Sequence, residues 1–233
     1  MPHFDFQQFR ICHDRCSMKV GTDGVLLGAW ADVEKAQRIL DIGTGSGLIA
    51  LMAAQRSQAQ ITGIDIHAPS VEQARENVIS SPYASRIDIE LCDVRCFHPE
   101  TPFDCILTNP PYFEEELLPP DEARAGARHT QGLPFVTCIE QAHRLLCNDG
   151  SFQVVLPHSA ESRFTALCVQ QGFSLLRSTT IHTVVHKPPR RILLHFVKSV
   201  HIDSPVVRTS ITLTAPDGSR SVDYKQLTHD FYL

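Results

Sequence analysis

The stretch that decides the fold of this chain is Arg38-Ile39-Leu40-Asp41-Ile42-Gly43-Thr44-Gly45-Ser46-Gly47. Its first five residues form a mostly apolar run that predicts a short buried strand. Glycine then occupies three alternate positions, and the apolar run over residues 48–54 predicts a helix. A glycine-rich loop between a strand and a helix is typical of nucleotide-binding α/β proteins, because glycine adopts positive φ angles and lets a ligand approach the backbone.

The acidic residue before the glycines narrows the class of ligand. The spacing is not the Gly-x-Gly-x-x-Gly of dinucleotide-binding folds, and no Lys-Ser or Lys-Thr pair follows as in a P-loop. A carboxylate at Asp41 would repel a pyrophosphate but attract an ammonium group. S-adenosylmethionine carries an amino-acid end and a sulfonium in place of phosphates. We therefore expect Asp41, Gly43, Gly45 and Gly47 to bind this cofactor.

Acidic residues at the ends of the next two predicted strands extend the expected cofactor site. Asp65 lies about twenty residues beyond the loop, where a carboxylate can accept hydrogen bonds from both ribose hydroxyls; capping of the next helix is the alternative. Asp93 follows a third predicted strand and could accept from the adenine amino group, although an aspartate there is often a turn former. The expected contacts include the residues that follow these acids, Ile66 and Val94.

A fourth strand-like run, over residues 103–107, leads into Asn109-Pro110-Pro111-Tyr112. Each proline fixes a φ angle and lacks a backbone N–H, so this corner is stiff and rich in carbonyl groups. Asn109 and the Pro110 carbonyl can accept hydrogen bonds from an amino group, and Tyr112 can stack on the ring that carries it. A plain turn after a strand is the alternative. Because the glycine loop lies upstream, we interpret all four residues as catalytic, and we also include Asn109 in the expected cofactor site.

Together these motifs resemble the class I S-adenosylmethionine-dependent methyltransferases that act on amino groups. Residues 9–30 are similar to the N-terminal signature of the bacterial tRNA1(Val) (adenine-37 N6)-methyltransferases, and the terminal Asp230-Phe231-Tyr232-Leu233 is similar to how those proteins end. This resemblance covers essentially the whole chain. It implies methyl transfer to the N6 amine of adenine 37 in tRNA1(Val), and it adds Lys19, Thr22 and Asp23 to the expected cofactor site.

The order of predicted elements gives the fold class. Strands and helices alternate between residues 38 and 171, which predicts a parallel sheet with helices on both faces. Two strand-like runs, near 173–185 and 190–200, have no helix between them and should pair as an antiparallel hairpin. This order predicts an α/β fold, and the resemblance implies that it is the class I methyltransferase (Rossmann-like) fold, with a seven-stranded, mostly parallel sheet whose final strand is antiparallel.

We expect the chain to form a single methyltransferase domain over residues 1–233. It has three expected parts: an N-terminal extension and helix over 1–36, a core over 37–201, and a C-terminal extension over 202–233. The first helix is predicted over residues 23–35. The polar insertion over 113–132 is long enough to be a lid or a recognition loop.

The distribution of charge suits a specific RNA partner. The formal net charge of −5 argues against nonspecific coating of nucleic acid, whereas specific RNA binding needs only a local basic face. Residues 172–200 contain arginines and lysines but no acid. The loop around residues 186–191 is our first choice for phosphate contacts, and we expect it to lie far from the glycine loop. The candidate tRNA-binding residues are Arg10, Arg15, Arg124, Arg128, Lys187, Arg190 and Arg191.

The remaining features are those of a soluble cytoplasmic protein. The N-terminus lacks the basic-then-apolar pattern of a signal peptide, and no apolar run reaches the length of a membrane span. Eight cysteines lack the paired spacing of a zinc site, which indicates free thiols in a reducing compartment. We therefore expect no metal and no membrane, and favour a monomer.

Other targets are compatible with the same motifs. A protein glutamine amide also presents two N–H donors, but methyltransferases of release factors carry a helical N-terminal domain for which this chain leaves no room. A DNA adenine methyltransferase would need a target-recognition domain, and a methyltransferase of guanine amino groups in ribosomal RNA often has a duplicated domain; neither is evident. The intact Asn-Pro-Pro-Tyr argues against a cofactor-binding module without catalysis.

Overall fold

A computed structural model describes residues 2–16, 19–110, 133–199 and 205–233. The strands in these ranges are β1 (His3–Asp5), β2 (Arg10–Cys12), β3 (Arg38–Ile42), β4 (Gln60–Asp65), β5 (Ile87–Leu91), β6 (Phe103–Thr108), β7 (Leu146–Pro157), β8 (Ser174–Val184), β9 (Arg191–Val197) and β10 (Val207–Thr214). The helices are α1 (Thr22–Trp30), α2 (Leu48–Arg56), α3 (Ala68–Ile79), α4 (Phe135–Leu145), α5 (Glu161–Gln170) and α6 (Val222–Thr228).

The main sheet has the strand order β10-β8-β9-β7-β6-β3-β4-β5. The five strands β3 to β7 are parallel to one another, while β9, the other neighbour of β7, is antiparallel to both β7 and β8. The predicted α/β architecture and the antiparallel hairpin are therefore confirmed. Because β8 is thus parallel to β7, the carboxyl ends of all the parallel strands meet at one edge of the sheet.

The predicted count of seven strands is wrong, because the C-terminal extension adds an eighth. Strand β10 pairs in parallel with the outer edge of β8, and Thr209 lies opposite Thr179 with their hydroxyl oxygens 2.6 Å apart. The sequence shows a strand-like run here but not its partner, since the pairing joins distant segments. The small sheet of β1 and β2 and the helix α6, which Ser221 caps at its N-terminus, were also not predicted.

Helix α1 ends at Trp30, before the predicted end at residue 35. The buried amide side chain of Gln153 in β7 accepts from the backbone N–H of Asp32 at 2.8 Å and donates to its carbonyl at 2.9 Å. Trp30 also donates to Thr179 at 2.8 Å. These bonds hold the chain extended beyond the helix and attach α1 to the sheet, which fixes the helix N-terminus at the edge described above.

Alternate residues of the central strands supply two hydrophobic cores, one on each face of the sheet. Ile39 of β3 belongs to the core shared with α1, α2 and α3, whereas Leu40 belongs to the core shared with α4 and α5. This alternation follows from the geometry of a strand, in which successive side chains point to opposite faces. Helices therefore cover both faces of the sheet, as predicted.

The segments near the two ends of the chain pack against each other. The backbone N–H of Gln7 donates to the carbonyl of Phe231 at 2.9 Å, and its side chain donates to the carbonyls of His229 at 2.7 Å and Tyr232 at 2.6 Å. The Phe6 ring stacks on Tyr232, with centroids 6.0 Å apart. These contacts hold the strand pair β1–β2, which precedes the first predicted cofactor residues, against the C-terminal extension.

Candidate functional site

The glycine loop joins β3 to α2 and exposes its backbone. Gly43, Gly45 and Gly47 have φ angles of 74°, 55° and 80°, which residues with a side chain rarely adopt. The amides of Gly43 and Thr44 both donate to the carbonyl of Ile64 in β4, at 2.8 and 3.0 Å. A Cβ atom added at Gly43 would meet no atom of the described residues within 4 Å, apart from the adjoining residues of the chain. The loop is thus anchored to the sheet on one side and open on the other.

A cavity of about 380 Å³ lies between this loop and the N-terminus of α1. Half of the predicted cofactor residues line it: Lys19, Thr22, Asp23, Gly43, Gly45 and Asn109. The prediction did not include their neighbours Val20, Gly21, Gly24, Thr44, Ser46, Leu48 and Ile49. The sequence could have indicated these neighbours only by their position beside the predicted residues. The glycine loop and the start of α1 contribute whole segments to the cavity rather than single residues.

Asp65 lies beside the loop at the end of β4. Its Oδ2 atom accepts from the Gly45 amide at 2.9 Å, and its Oδ1 atom accepts from the His67 amide at 2.9 Å. His67 immediately precedes α3. The carboxylate therefore connects the glycine loop to the start of the next helix. Its place next to the loop suits ribose binding, which stays a prediction.

Asp41 lies beneath the loop and does not line the cavity. Its side chain is fully buried and accepts from the Thr44 hydroxyl at 2.7 Å. Burial raises the pKa of Asp41 from 3.8 to about 7, against the opposing effect of the Thr44 hydrogen bond. Any influence of this residue on a ligand therefore passes through the conformation of the loop rather than through an exposed charge.

The raised pKa of Asp41 predicts a pH-dependent stability. The folded protein holds the Asp41 proton more tightly than the unfolded chain does, so this contribution is complete below pH 3.8 and is lost as the pH rises through about 7. Compared with the non-titrating Asp41→Asn variant, the wild type should lose at most about 4 kcal/mol of unfolding free energy across this range. Urea denaturation at several pH values measures the difference.

Thr44→Val provides the matched test. Because the hydroxyl of Thr44 stabilises the Asp41 carboxylate, its removal should shift the loss of stability to higher pH. Parallel profiles for the wild type and Asp41→Asn between pH 4 and pH 7 would show that folding does not raise the pKa of Asp41.

The predicted adenine contacts follow β4 and β5 at the same edge of the sheet. Asp93 caps a short 3₁₀ turn by accepting from the Arg95 amide at 2.9 Å, and it forms an ion pair with the Arg95 side chain. This hydrogen-bonded arginine lowers the pKa of Asp93. Ile66 is 55% exposed, whereas Val94 is buried. Asp93 therefore forms a turn, as the alternative expected, while its contact with the adenine amino group stays a prediction.

Asn109 lies in the cavity because β6 ends next to β3. The hydroxyl of Thr108 donates to the carbonyl of Ile42 at 2.8 Å, which fastens the two strand ends together. Asn109 is half-buried and lines the cavity with Gly43 and Gly45, and Pro110 is buried. The other predicted residues of this region, Pro111, Tyr112, Arg124 and Arg128, lie outside the described residues, as does the whole of the 113–132 insertion.

Comparison with known proteins now identifies the family. The methyltransferase small domain profile matches residues 18–184. The tRNA1(Val) (adenine(37)-N6)-methyltransferase of Phocaeicola vulgatus is 48% identical over 232 residues, covering 100% of this chain and 98% of that protein. The protein of the same name from Yersinia pseudotuberculosis is 45% identical, covering 99% and 92%. The chain belongs to this methyltransferase family.

Solved structures agree with the methyltransferase fold. A predicted O-methyltransferase of Agrobacterium tumefaciens, Atu636, matches with a TM-score of 0.69 at 19% identity, covering 90% of this chain and 96% of that one. A methyltransferase from Pyrococcus furiosus matches with a TM-score of 0.54 at 20% identity, covering 72% and 78%. These confirm the class I methyltransferase fold, and membership of this class implies dependence on S-adenosylmethionine.

Within this methyltransferase, the predicted basic groups have different surroundings. Arg10 forms an ion pair with Asp5, and Arg15 pairs with Glu76 and, at 3.9 Å, with Glu72. Lys187 and Arg190 belong to the turn between β8 and β9, where the amide of Arg190 donates to the carbonyl of Ile181 at 2.9 Å. Arg10 and Arg15 thus have acidic neighbours.

The expectation that the 186–191 loop is far from the glycine loop is wrong. Arg191 lines the same cavity as Gly43, and its Nε atom donates to Asp23 at 2.8 Å. The reason is topological: β9 runs antiparallel between β7 and β8, so its first residue lies at the edge where the parallel strands end.

Three further features of the described residues concern membrane-spanning helices, metal-binding clusters and cysteine thiols. In the described ranges, no helix combines the length and apolar character needed to cross a bilayer, and no cluster of three or more His, Cys, Asp or Glu residues could hold a metal. All eight cysteines are free thiols. Cys105 and Cys138 are buried in the core, and this burial raises the pKa of both thiols to about 12.

Proposed function

We propose that this chain transfers a methyl group from S-adenosylmethionine to the exocyclic N6 amine of adenine 37 in tRNA1(Val). The observation that carries the proposal is the shared cavity, in which Asn109 lies together with Gly43 and Gly45. A cofactor on the loop and an amine at Asn109 would meet there. The names of the relatives from Phocaeicola vulgatus and Yersinia pseudotuberculosis supply the tRNA and the nucleotide.

The residues present fit this cofactor. The loop wall of the cavity has no side chain at Gly43, so a ligand can lie against the backbone. Two carboxylates, Asp23 in the cavity and Asp65 beside it, can accept from ammonium and hydroxyl groups. Because carboxylates would repel a pyrophosphate, this set suits an adenosyl amino acid better than a dinucleotide.

The residues of the chain position the reaction rather than supply a strong base. S-adenosylmethionine, when bound, supplies a methyl group that its sulfonium already activates. The adenine amine is a poor nucleophile, because its lone pair is delocalised into the ring. Acceptors at Asn109 and Pro110 would localise that lone pair and direct it at the methyl group. The proton can leave after the transfer, so neither acceptor needs to take it beforehand.

The other two motif residues would hold the base in place. Tyr112 would stack on the adenine ring, which contributes about 1–3 kcal/mol for a base on an aromatic side chain. Pro111 would keep the corner stiff. The target base has to be unstacked, and this costs less in an RNA loop than in a duplex.

We also propose that residues 1–233 act as one domain, in the cytoplasm, as a monomer and without a metal.

One experiment tests the proposed function directly. Radiolabelled cofactor is incubated with tRNA1(Val) transcript, with a transcript carrying guanine at position 37, with release factor, and with ribosomal RNA. Label should enter the adenine-37 transcript and no other substrate. Label in the release factor, or in the transcript with guanine at position 37, would replace the proposal by one of the alternative methyltransferase classes.

We propose that tRNA approaches over the turn between β8 and β9. Lys187 and Arg190 belong to an acid-free segment at the edge of the sheet that contains the cavity. They are better candidates for phosphate contacts than Arg10 and Arg15, because those two have carboxylate partners. Contacts of this kind bind the RNA backbone and do not by themselves select one tRNA.

Reversing either charge in this turn should weaken tRNA binding. We expect Lys187→Glu and Arg190→Glu each to lower the affinity and to reduce the slope of log K against log salt by about 0.7–0.9 for each phosphate that the protein no longer neutralises. Lys35→Glu is the control, since it changes the net charge equally from the exposed segment before β3, at the opposite edge of the sheet. Filter binding at several salt concentrations measures both quantities. Curves that match the control would remove this turn from the RNA-binding surface.

A further inference from the structure

Two residues from distant parts of the chain form an ion pair in the lining of the cavity. The Nε atom of Arg191, the first residue of β9, donates to Oδ2 of Asp23 in the first turn of α1, at 2.8 Å. A second guanidinium nitrogen of Arg191 donates to the carbonyl of Arg190 at 3.1 Å. The guanidinium is therefore held beside the N-terminus of α1, in the cavity that Asn109 and the glycine loop also line.

This ion pair can be exchanged for contacts with a ligand at little cost. Both side chains remain partly exposed, at 33% for Arg191 and 24% for Asp23. Ion pairs that keep this much contact with water contribute little net stability, because water already solvates both charges well. A ligand that carries one negative and one positive group would replace this ion pair by two ion pairs, one with Arg191 and one with Asp23.

We propose that Arg191 binds the carboxylate of the amino-acid end of the cofactor, while Asp23 accepts from its ammonium group. This assignment rests on the proposed function. A zwitterionic amino-acid end presents one charge of each sign, and the cavity holds the complementary carboxylate and guanidinium in contact with each other. A guanidinium also matches a carboxylate in geometry, because its N–H donors form a planar fork. Arg191 is thus a cofactor-binding residue rather than an RNA contact.

The chain offers one competing cation in the same cavity. Lys19 is exposed and also lines the wall near α1. Its ammonium group is a point charge without the planar fork of arginine. The experiment therefore includes variants of both residues.

The test compares two ligands that differ only at the amino-acid end. S-adenosylhomocysteine has the carboxylate, and 5′-methylthioadenosine keeps the nucleoside but lacks the carboxylate and the ammonium. By titration calorimetry, Arg191→Gln should weaken S-adenosylhomocysteine binding by about 10-fold or more, as expected for the removal of charge-assisted hydrogen bonds. It should leave 5′-methylthioadenosine binding unchanged. Arg191→Lys should recover part of the affinity, and Arg163→Gln, an exposed arginine on α5, should match the wild type for both ligands.

Each other outcome contradicts the assignment. Equal weakening of both ligands in Arg191→Gln would show that Arg191 supports the fold of the cavity instead of binding the carboxylate. Unchanged affinities would remove Arg191 from the site, and a selective loss in Lys19→Gln alone would assign the carboxylate to Lys19. A wild-type protein that binds neither ligand would overturn the proposed function itself, which is a different result from a wild type that binds both and a variant that does not differ.

Discussion

Replacing Asn109 by alanine should reduce methyl transfer to tRNA by about 100-fold or more, the range seen when a positioned hydrogen-bonding group is removed from an active site. The affinity for S-adenosylmethionine should stay close to that of the wild type. Asn109 directly follows β6 and lines the cavity, where it would contact the incoming amine. Its loss removes an acceptor that orients the target but no proposed contact to the ribose.

The measurement combines single-turnover methylation with calorimetry on the same preparation. Asn148→Ala is the matched control, because Asn148 is an exposed asparagine near the start of β7, at the opposite edge of the sheet. It should keep both activity and affinity. If Asn109→Ala lost affinity for the cofactor in proportion to its loss of rate, Asn109 would be a cofactor-binding residue and the role in orienting the amine would be wrong.

The second large effect is expected at Asp65. Alanine at this position should weaken the binding of S-adenosylmethionine by about 1.5–3 kcal/mol, the typical value of hydrogen bonds to a charged group. The two carboxylate oxygens also accept from the amides of Gly45 and His67. The substitution therefore removes the proposed ribose contact and also loosens the glycine loop at its centre.

Two further variants separate these contributions. Asp65→Asn keeps one acceptor oxygen and the shape of the side chain, so its loss of affinity should be intermediate. Asp88→Ala removes an exposed aspartate from β5 and should bind the cofactor as the wild type does. Calorimetry on the three variants decides the point, and an unchanged affinity in Asp65→Ala would end the assignment to the ribose.

The features that the sequence predicted are those with a local pattern. Strand β3 was predicted over residues 38–42 and is observed at Arg38–Ile42, because its apolar run and the glycines after it mark both ends. Strand β6 was likewise predicted over 103–107 and is observed one residue longer, at Phe103–Thr108. The neighbouring positions of Asn109 and the glycine loop then follow from the topology, since β3 and β6 are adjacent and parallel.

The features that the sequence did not predict depend on distant pairings. Strand β10 gains its position from β8, and Arg191 gains its position from the antiparallel insertion of β9, which no local pattern specifies. Its partner Asp23 is 168 residues away in the chain. The contact between Asp93 and Arg95 could have been predicted from the sequence, because Arg95 lies only two residues further on and an aspartate that caps a turn can bond to it. The burial of Asp41 could not be predicted, because the sequence of a short strand does not show which residues cover its end.

The contact between Gln7 and Tyr232 has a consequence for how the protein forms during translation. These two residues are 225 positions apart, so the ribosome makes one long before the other. The nascent N-terminal segment has to remain without its aromatic partner Tyr232 until every strand of the main sheet has been synthesised. The strand pair β1–β2 should therefore dock late in folding. The segment that begins at Lys19 and lines the cavity should then be among the last parts of the newly synthesised protein to become ordered.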